Sequence, residues 1–289
     1  MTRLKRNDMS AEFLKKEEIE FFRENGFLIL PGFYAQKDIE QIQAGIYGII
    51  GLVIDKYELK IKRESFSTES FDSGFQDLIR VNRKYGAEVY DAVKQIPAFI
   101  RLAADERHEK ILCALRKSDL AGIAAGGYGI RIDNPFEEQF RATWHQEYPA
   151  QLRSPDGLVY WSSLVPISPE MGAVKVCPGS QHQGCIPVHT TDPANPGKNG
   201  AYSLILENEL ELIQKYPQIE LSAGPGDLAI MDFMLIHASG YNRGTRSRWS
   251  MQIRYFNFNN PTGVSIGWKG SFSAGQDFCE IHPELCIDK

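Results

Sequence analysis

The sequence predicts a mainly β protein with flanking helices. Helical periodicity fills the first part of the chain, and from about Gly127 onward short β-rich runs alternate with Gly and Pro. Helices first and strands second indicate a β core with helices packed on one side. A chain of 289 residues, 43% hydrophobic and 24% charged, has enough material for a sizeable core in one large domain. We expect a single domain over residues 1–289, with a helical part over about 10–126, a β core over about 127–260 and a C-terminal extension over 261–289.

Ser10 is placed to cap a first helix running through Lys15 to Phe22, and Gly26 to end it. Phe27-Leu28-Ile29-Leu30 then reads as a buried strand closed by Pro31-Gly32. Next, Ile39, Ile42, Ile46, Ile49, Ile50, Val53 and Tyr57 recur at three- and four-residue steps, which places them on one face of a second helix. Lys62 to Ser73 is polar and reads as a surface loop. A third helical stretch, around Ala87 to Ala104, carries Val89, Tyr90, Val93, Ile96 and Phe99. The expected strands are Tyr128–Ile132, Leu158–Val165, Ala173–Val176, Ile219–Ser222, Asp227–Met231 and Gln252–Phe258, a set that suits a sandwich or barrel. Residues 188–202 hold Pro193, Pro196, Gly197 and Gly200 and form a long loop, either a functional lid or a surface excursion.

Composition excludes several classes of function. A net charge of -5 and a pI near 5.8 leave no basic footprint for nucleic acid. The basic Met1 to Arg6 leads into Asn7 and Asp8 rather than an apolar stretch, so it does not read as a secretory signal. The longest apolar run, Ile46 to Ile54, is about half of what a membrane span requires and reads as a buried helix. Five cysteines, Cys113, Cys177, Cys185, Cys279 and Cys286, form an odd set without CxxC spacing. That points to a reducing compartment, the cytoplasm, rather than to a disulfide framework.

The chemistry lies in three segments. In Trp144-His145-Gln146-Glu147 an imidazole and a carboxylate stand two residues apart, and in an extended chain both face the same way. In the segment Gly224 to His237 a turn feeds a strand, and an isolated histidine closes an almost wholly apolar run. Together His145, Glu147 and His237 make a two-histidine, one-carboxylate facial triad, the ligand set of non-haem Fe(II) sites with open positions. Eleven residues beyond His237 stands Arg248, in Arg246-Ser247-Arg248-Trp249-Ser250. A fixed guanidinium beside a hydroxyl is what the distal end of a dicarboxylate needs, because arginine grips a carboxylate through two parallel hydrogen bonds.

This order of motifs resembles the phytanoyl-CoA dioxygenase family of Fe(II)- and 2-oxoglutarate-dependent oxygenases. The likeness covers most of the chain, from Phe21 to Phe33 through Trp144 to Glu147, Gly172 to Ser180 and His237 to Asn242. It implies a double-stranded β-helix core, a jelly roll of cupin type. By matched position it makes His145, Glu147 and His237 the iron ligands. Arg248, assisted by Ser250, becomes the partner of the 2-oxoglutarate C5 carboxylate, and Trp161 the strand tryptophan beside the cosubstrate. Two departures stand out. Glu147 occupies a position where the family usually has Asp, and Pro178-Gly179-Ser180 is followed by Gln181-His182 rather than directly by His.

The resemblance implies a dioxygenase that couples oxidative decarboxylation of 2-oxoglutarate by O2, giving succinate and CO2, to hydroxylation of an unactivated C–H bond in a small-molecule substrate. Desaturation, cyclisation or epimerisation with the same cofactors is the alternative within the class. Outside it stands a catalytically idle jelly-roll binding protein. Halogenation would need the ligand carboxylate replaced by a small residue, and Glu147 argues against it. Arg131, on the strand before the His-x-Glu segment, and His182 are candidates for contact with the substrate.

Overall fold

The computed structural model describes residues 13–192, 204–271 and 276–287. Helix α1 (Lys16–Asn25) ends on Gly26 at φ 77°, a left-handed conformation that glycine adopts without strain, and the chain turns straight into strand β1 (Phe27–Leu30). Ser10, the expected cap, lies outside the described residues. Lys15 stands at the N-cap, and its backbone N–H donates to the Glu18 carboxylate at 2.7 Å. Helix α2 (Gln36–Lys56) buries Ile39, Ile42, Ile46, Ile50 and Val53, the face read from the sequence.

Segment 62–73 is more firmly seated than a surface loop, since Phe71 is fully buried and the Asp72 carboxylate accepts hydrogen bonds from Arg246 and from Trp249 Nε1. Helices α3 (Phe75–Val81) and α4 (Arg83–Val93) follow. The single helical stretch expected over 87–104 is divided, because Pro97 has no N–H to donate and instead opens α5 (Pro97–Ala103). Helix α6 (Glu106–Arg116), capped by the Asp105 carboxylate, completes a helical layer.

Next along the chain come β2 (Ala121–Ile123), β3 (Gly129–Asp133), the short helix α7 (Glu147–Gln151), β4 (Gly157–Ser163), β5 (Val174–Val176), β6 (Val188–His189) and β7 (Ile205–Leu206). They are followed by α8 (Glu209–Gln214), β8 (Ile219–Glu220), β9 (Leu228–Asp232), β10 (His237–Ser239), β11 (Arg248–Asn257), α9 (Pro261–Ser265) and α10 (Gln276–Ile281). One antiparallel sheet runs β1-β9-β4-β11, with β2 and β3 pairing successive halves of β11. A smaller antiparallel sheet runs β10-β5-β8, and β6 pairs with β7 in a two-stranded ribbon. The long loop expected over 188–202 begins with β6, and residues 193–203 lie outside the described residues.

Alternation along the strands divides the large sheet into two faces. Leu158 and Tyr160 of β4 and Met251, Ile253 and Tyr255 of β11 pack with the helices. Val159 and Trp161 of β4 and Met231 of β9 turn the other way and meet Val174 and Val176 of the small sheet. The two sheets therefore close over a second core, and the same parity commits Arg248, Ser250, Gln252 and Arg254 of β11 to it. These polar residues explain why β11 begins at Arg248, four positions before the strand expected from Gln252.

In this second core Phe278 of α10 is fully buried, edge-on to Tyr148, whose hydroxyl lies 2.7 Å from His282 Nε2. The reading of the cysteines is corrected in one respect: Cys279 and Cys286 are joined in a disulfide, while Cys113, Cys177 and Cys185 are free. No helix among the described residues is long and apolar enough to cross a membrane.

Candidate metal centre

His145 and His237 are brought together by backbone pairing. They form an isolated antiparallel bridge, each N–H donating to the other's carbonyl at 3.0 Å, and His237 also pairs with Val176 in the small sheet. Gln146 continues extended, so its side chain points opposite to those of its neighbours. Its amide donates to the Gly184 and Met234 carbonyls and accepts from the Ile186 N–H, all within 2.8 Å. Glu147 then opens α7 instead of prolonging a strand. The carboxylate still returns to the face of His145, as the two-residue spacing predicts.

The three side chains are buried, and one ligand atom from each lies within 4.8 Å of the others. Glu147 Oε2 stands 3.6 Å from His237 Nε2 and 3.9 Å from His145 Nε2. Both imidazoles place Nδ1 against a backbone carbonyl, Thr143 at 2.7 Å and Leu235 at 2.9 Å. A carbonyl only accepts, so Nδ1 carries the hydrogen and the Nε2 lone pairs face the carboxylate, the arrangement that metal-binding histidines use. Burial, reinforced by the neighbouring His237, pushes His145 down to about 3, which keeps its ring neutral. Burial alone would raise the Glu147 carboxyl, but the Arg254 guanidinium outweighs it and holds it well below its usual range.

Glu147 Oε2 is buried with no hydrogen-bond partner. A buried ionised oxygen in that state is costly unless a cation completes it. Neutral imidazoles and one carboxylate are the donor set of a divalent transition metal. The three ligand atoms are close enough together for one ion to meet them all. The residues fit an iron ion.

Trp161, Val159, Met231, Val174, Gln252 and Arg254 line the cleft beside these ligands. Further along the same face are Arg248 and Ser250. Arg248 is completely buried, with Nη2 donating to Asp133 Oδ2 at 2.8 Å and Nη1 to the Gly172 carbonyl. Gly172, at φ 67°, can come this close because it packs backbone to backbone with Gly240, where a Cβ would lie 2.6 Å from the Gly240 carbonyl carbon. Arg248 Nε and Ser250 Oγ are buried polar atoms with no partner, two residues apart on one strand face.

Arg131 shares this face, opposite Ser250 in the register, and donates to Asp133 at 2.9 Å and to the Phe140 carbonyl at 2.8 Å. His182 sits apart, on a 3-10 turn over Ser180–Gln183, with its ring against the Glu24 carbonyl at 3.2 Å. It does not line the cleft. Sequence reading missed Asp133, Gln252 and Arg254. The last two were within reach, since they follow Arg248 at even steps along one strand.

Comparison with known proteins shows the family. The profile of the phytanoyl-CoA dioxygenase family, PhyH, matches residues 22–250. A Caenorhabditis elegans protein described as a probable phytanoyl-CoA dioxygenase is 21% identical over 278 residues, covering 94% of this chain and 84% of its own. Among solved structures, EctD from S. alaskensis, with 2-oxoglutarate and 5-hydroxyectoine, is 17% identical and superposes with a TM-score of 0.56 over 86% of this chain and 77% of its own. The non-haem, α-ketoglutarate-dependent carbocyclase SnoK from nogalamycin biosynthesis is 15% identical, with a TM-score of 0.55 over 86% of both chains. The epimerase SnoN from the same biosynthesis is 14% identical, with a TM-score of 0.51 over 87% of both. These likenesses identify the paired sheets as a jelly roll. With the family profile spanning most of its length, the chain belongs to the phytanoyl-CoA dioxygenase family, enzymes that use Fe(II), 2-oxoglutarate and O2.

Proposed function

We propose that the enzyme hydroxylates an unactivated C–H bond of a small-molecule substrate, releasing succinate and CO2, with His145, Glu147 and His237 holding the iron. The observation that carries this is the convergence of two Nε2 lone pairs on a buried, unpartnered carboxylate oxygen. Bound iron would supply the redox chemistry with O2 and 2-oxoglutarate. The protein's own share is binding, orientation and exclusion of water.

Arg248 Nε and Ser250 Oγ are suited to donate to the C5 carboxylate of 2-oxoglutarate between them, because both are buried donors with nothing else to bond. Trp161 forms a wall of the cleft beside the ligands. Gln146 fixes both neighbouring ligands through its three hydrogen bonds to the opposite side. Arg131 shares Asp133 with Arg248 and so sets the charge available to the cosubstrate.

The test is anaerobic addition of Fe(II) and then 2-oxoglutarate, which should develop the visible charge-transfer absorption of a chelated 2-oxo acid. His145→Ala and His237→Ala should abolish it. Wild-type absorption in both variants overturns the ligand assignment. Because a carbocyclase and an epimerase share this fold, desaturation, cyclisation or epimerisation is a second reading of the same site. Mass analysis of the product decides, since only hydroxylation adds one oxygen atom.

A further inference from the structure

Arg254 holds none of the roles proposed above, yet it is ion-paired with a proposed ligand. Its Nε donates to Glu147 Oε1 at 3.0 Å, and both side chains are buried, with exposures of 9% and 1%. The rest of the guanidinium is also engaged. Nη2 donates to Gln252 Oε1 at 2.8 Å and Nη1 to the Gly127 carbonyl at 3.3 Å. Contacts in three directions leave the guanidinium no other place to settle.

We infer that Arg254 is the positioning residue for the Glu147 carboxylate, holding Oε1 away from the metal so that Oε2 alone faces it. The inference rests on Glu147 being a ligand, as proposed above, and adds how that ligand is restrained. A free carboxylate can close on a metal through both oxygens, and the second would occupy a position that a chelating cosubstrate needs. The extra methylene of glutamate suits this arrangement, since it carries the carboxylate across the gap from α7 to β11 while Oε2 stays beside both histidines.

Charge supports the same role. Glu147 and Arg254 cancel, and the neutral imidazoles add nothing, so a divalent ion would leave the centre at plus two. The carboxylate at the chelating end of the cosubstrate would be drawn to that charge, while its distal carboxylate meets the Arg248 cluster. Loss of Arg254 leaves the ion with an excess of anionic ligand, which favours the metal and disfavours 2-oxoglutarate. A role confined to stability would instead weaken both together.

The experiment uses Co(II) as the metal probe, followed by visible absorption, with calorimetric titration of 2-oxoglutarate into the Co(II)-loaded protein. Arg254→Met should keep Co(II) affinity at or above wild type. Its Co(II) bands should weaken, as they do when coordination number rises, and the 2-oxoglutarate dissociation constant should increase about tenfold or more. Arg254→Lys, which keeps the charge but makes fewer contacts, should change the same way and less. Wild-type bands and wild-type 2-oxoglutarate affinity in Arg254→Met overturn the inference. Should that variant not fold, Arg254→Lys decides on the same two measurements. Undiminished Co(II) binding by His145→Ala and His237→Ala would instead overturn the ligand set itself, so the two failures are distinct.

Discussion

Arg248 and Asp133 are directly paired across β11 and β3, and their side chains form a buried ion pair at 2.8 Å. Arg131 holds the same carboxylate at 2.8 Å. Burial would raise the Asp133 carboxyl, but Arg131 and then Arg248 prevail and bring it down to about 2. Two guanidinium groups thus share one carboxylate. The cluster keeps one positive charge, the complement of a distal carboxylate.

Removal of either arginine should therefore weaken 2-oxoglutarate binding, by different routes. Arg248→Ala removes the contact itself, at a cost on the order of 2–5 kcal/mol, or roughly thirtyfold or more in apparent affinity. Arg131→Ala leaves Arg248 neutralised by Asp133 and should cost about tenfold. Arg246, bound to Asp72 at 2.9 Å on the helical side, is the control, and Arg246→Ala should leave the affinity unchanged. Titration of the metal-loaded protein checks all three. A defect in Arg246→Ala alone would move the cosubstrate to another part of the cleft.

Glu147→Ala should sharply weaken Fe(II) retention, because it removes the one anionic ligand. Glu147→Asp should retain the metal. Equilibrium dialysis reads both, and full retention by Glu147→Ala would take the carboxylate out of the ligand set.

Gln146 satisfies two carbonyls and one N–H in a buried position. Gln146→Ala strands these groups and should lower unfolding free energy by about 2–4 kcal/mol. Urea denaturation measures it. A loss within experimental error would show that these groups find other partners.

The fold also carries a pH dependence away from the metal centre. His108 is buried between aromatic rings, its Nε2 2.8 Å from the Tyr34 hydroxyl, and burial pushes it from 6.5 down to about 4. Below pH 6.5 the unfolded chain takes up a proton that the folded protein refuses until about pH 4, so this contribution is intact above 6.5 and fades as pH falls through that window. At about 1.4 kcal/mol per pH unit, unfolding at pH 5 should be roughly 2 kcal/mol easier than at pH 7 on this account. His108→Phe should remove that part of the slope, whatever its absolute stability. Equal slopes for variant and wild type would refute it.

The order of elements was legible because periodicity reports local geometry: the isoleucine face of α2 and the end of α1 at Gly26 appear as expected. The triad was legible because its spacing encodes chemistry. Two errors came from long-range context. Glu147 enters a helix although His145 next to it in the pattern is strand-paired, and β11 starts early because its buried polar residues look like surface in a linear reading. Asp133 was invisible for a similar reason, since only pairing between strands shows that it belongs to Arg248. Cys279 and Cys286 could not be read as partners from a count of five.

The pairing of β3 with β11 gives another meaning to the separation between His237 and Arg248. Between them the chain leaves one sheet, passes through residues 240–247 and enters the other. What the chemistry requires is the rung that Arg248 occupies opposite Asp133, and this is set by the ladder of strands rather than by the length of the connection. Relatives with longer or shorter connections there could keep the same arginine on the same rung. A one-residue slip of β11 in its register, by contrast, would exchange its two faces, turning the charged groups onto the helices and Met251 and Ile253 into the cleft.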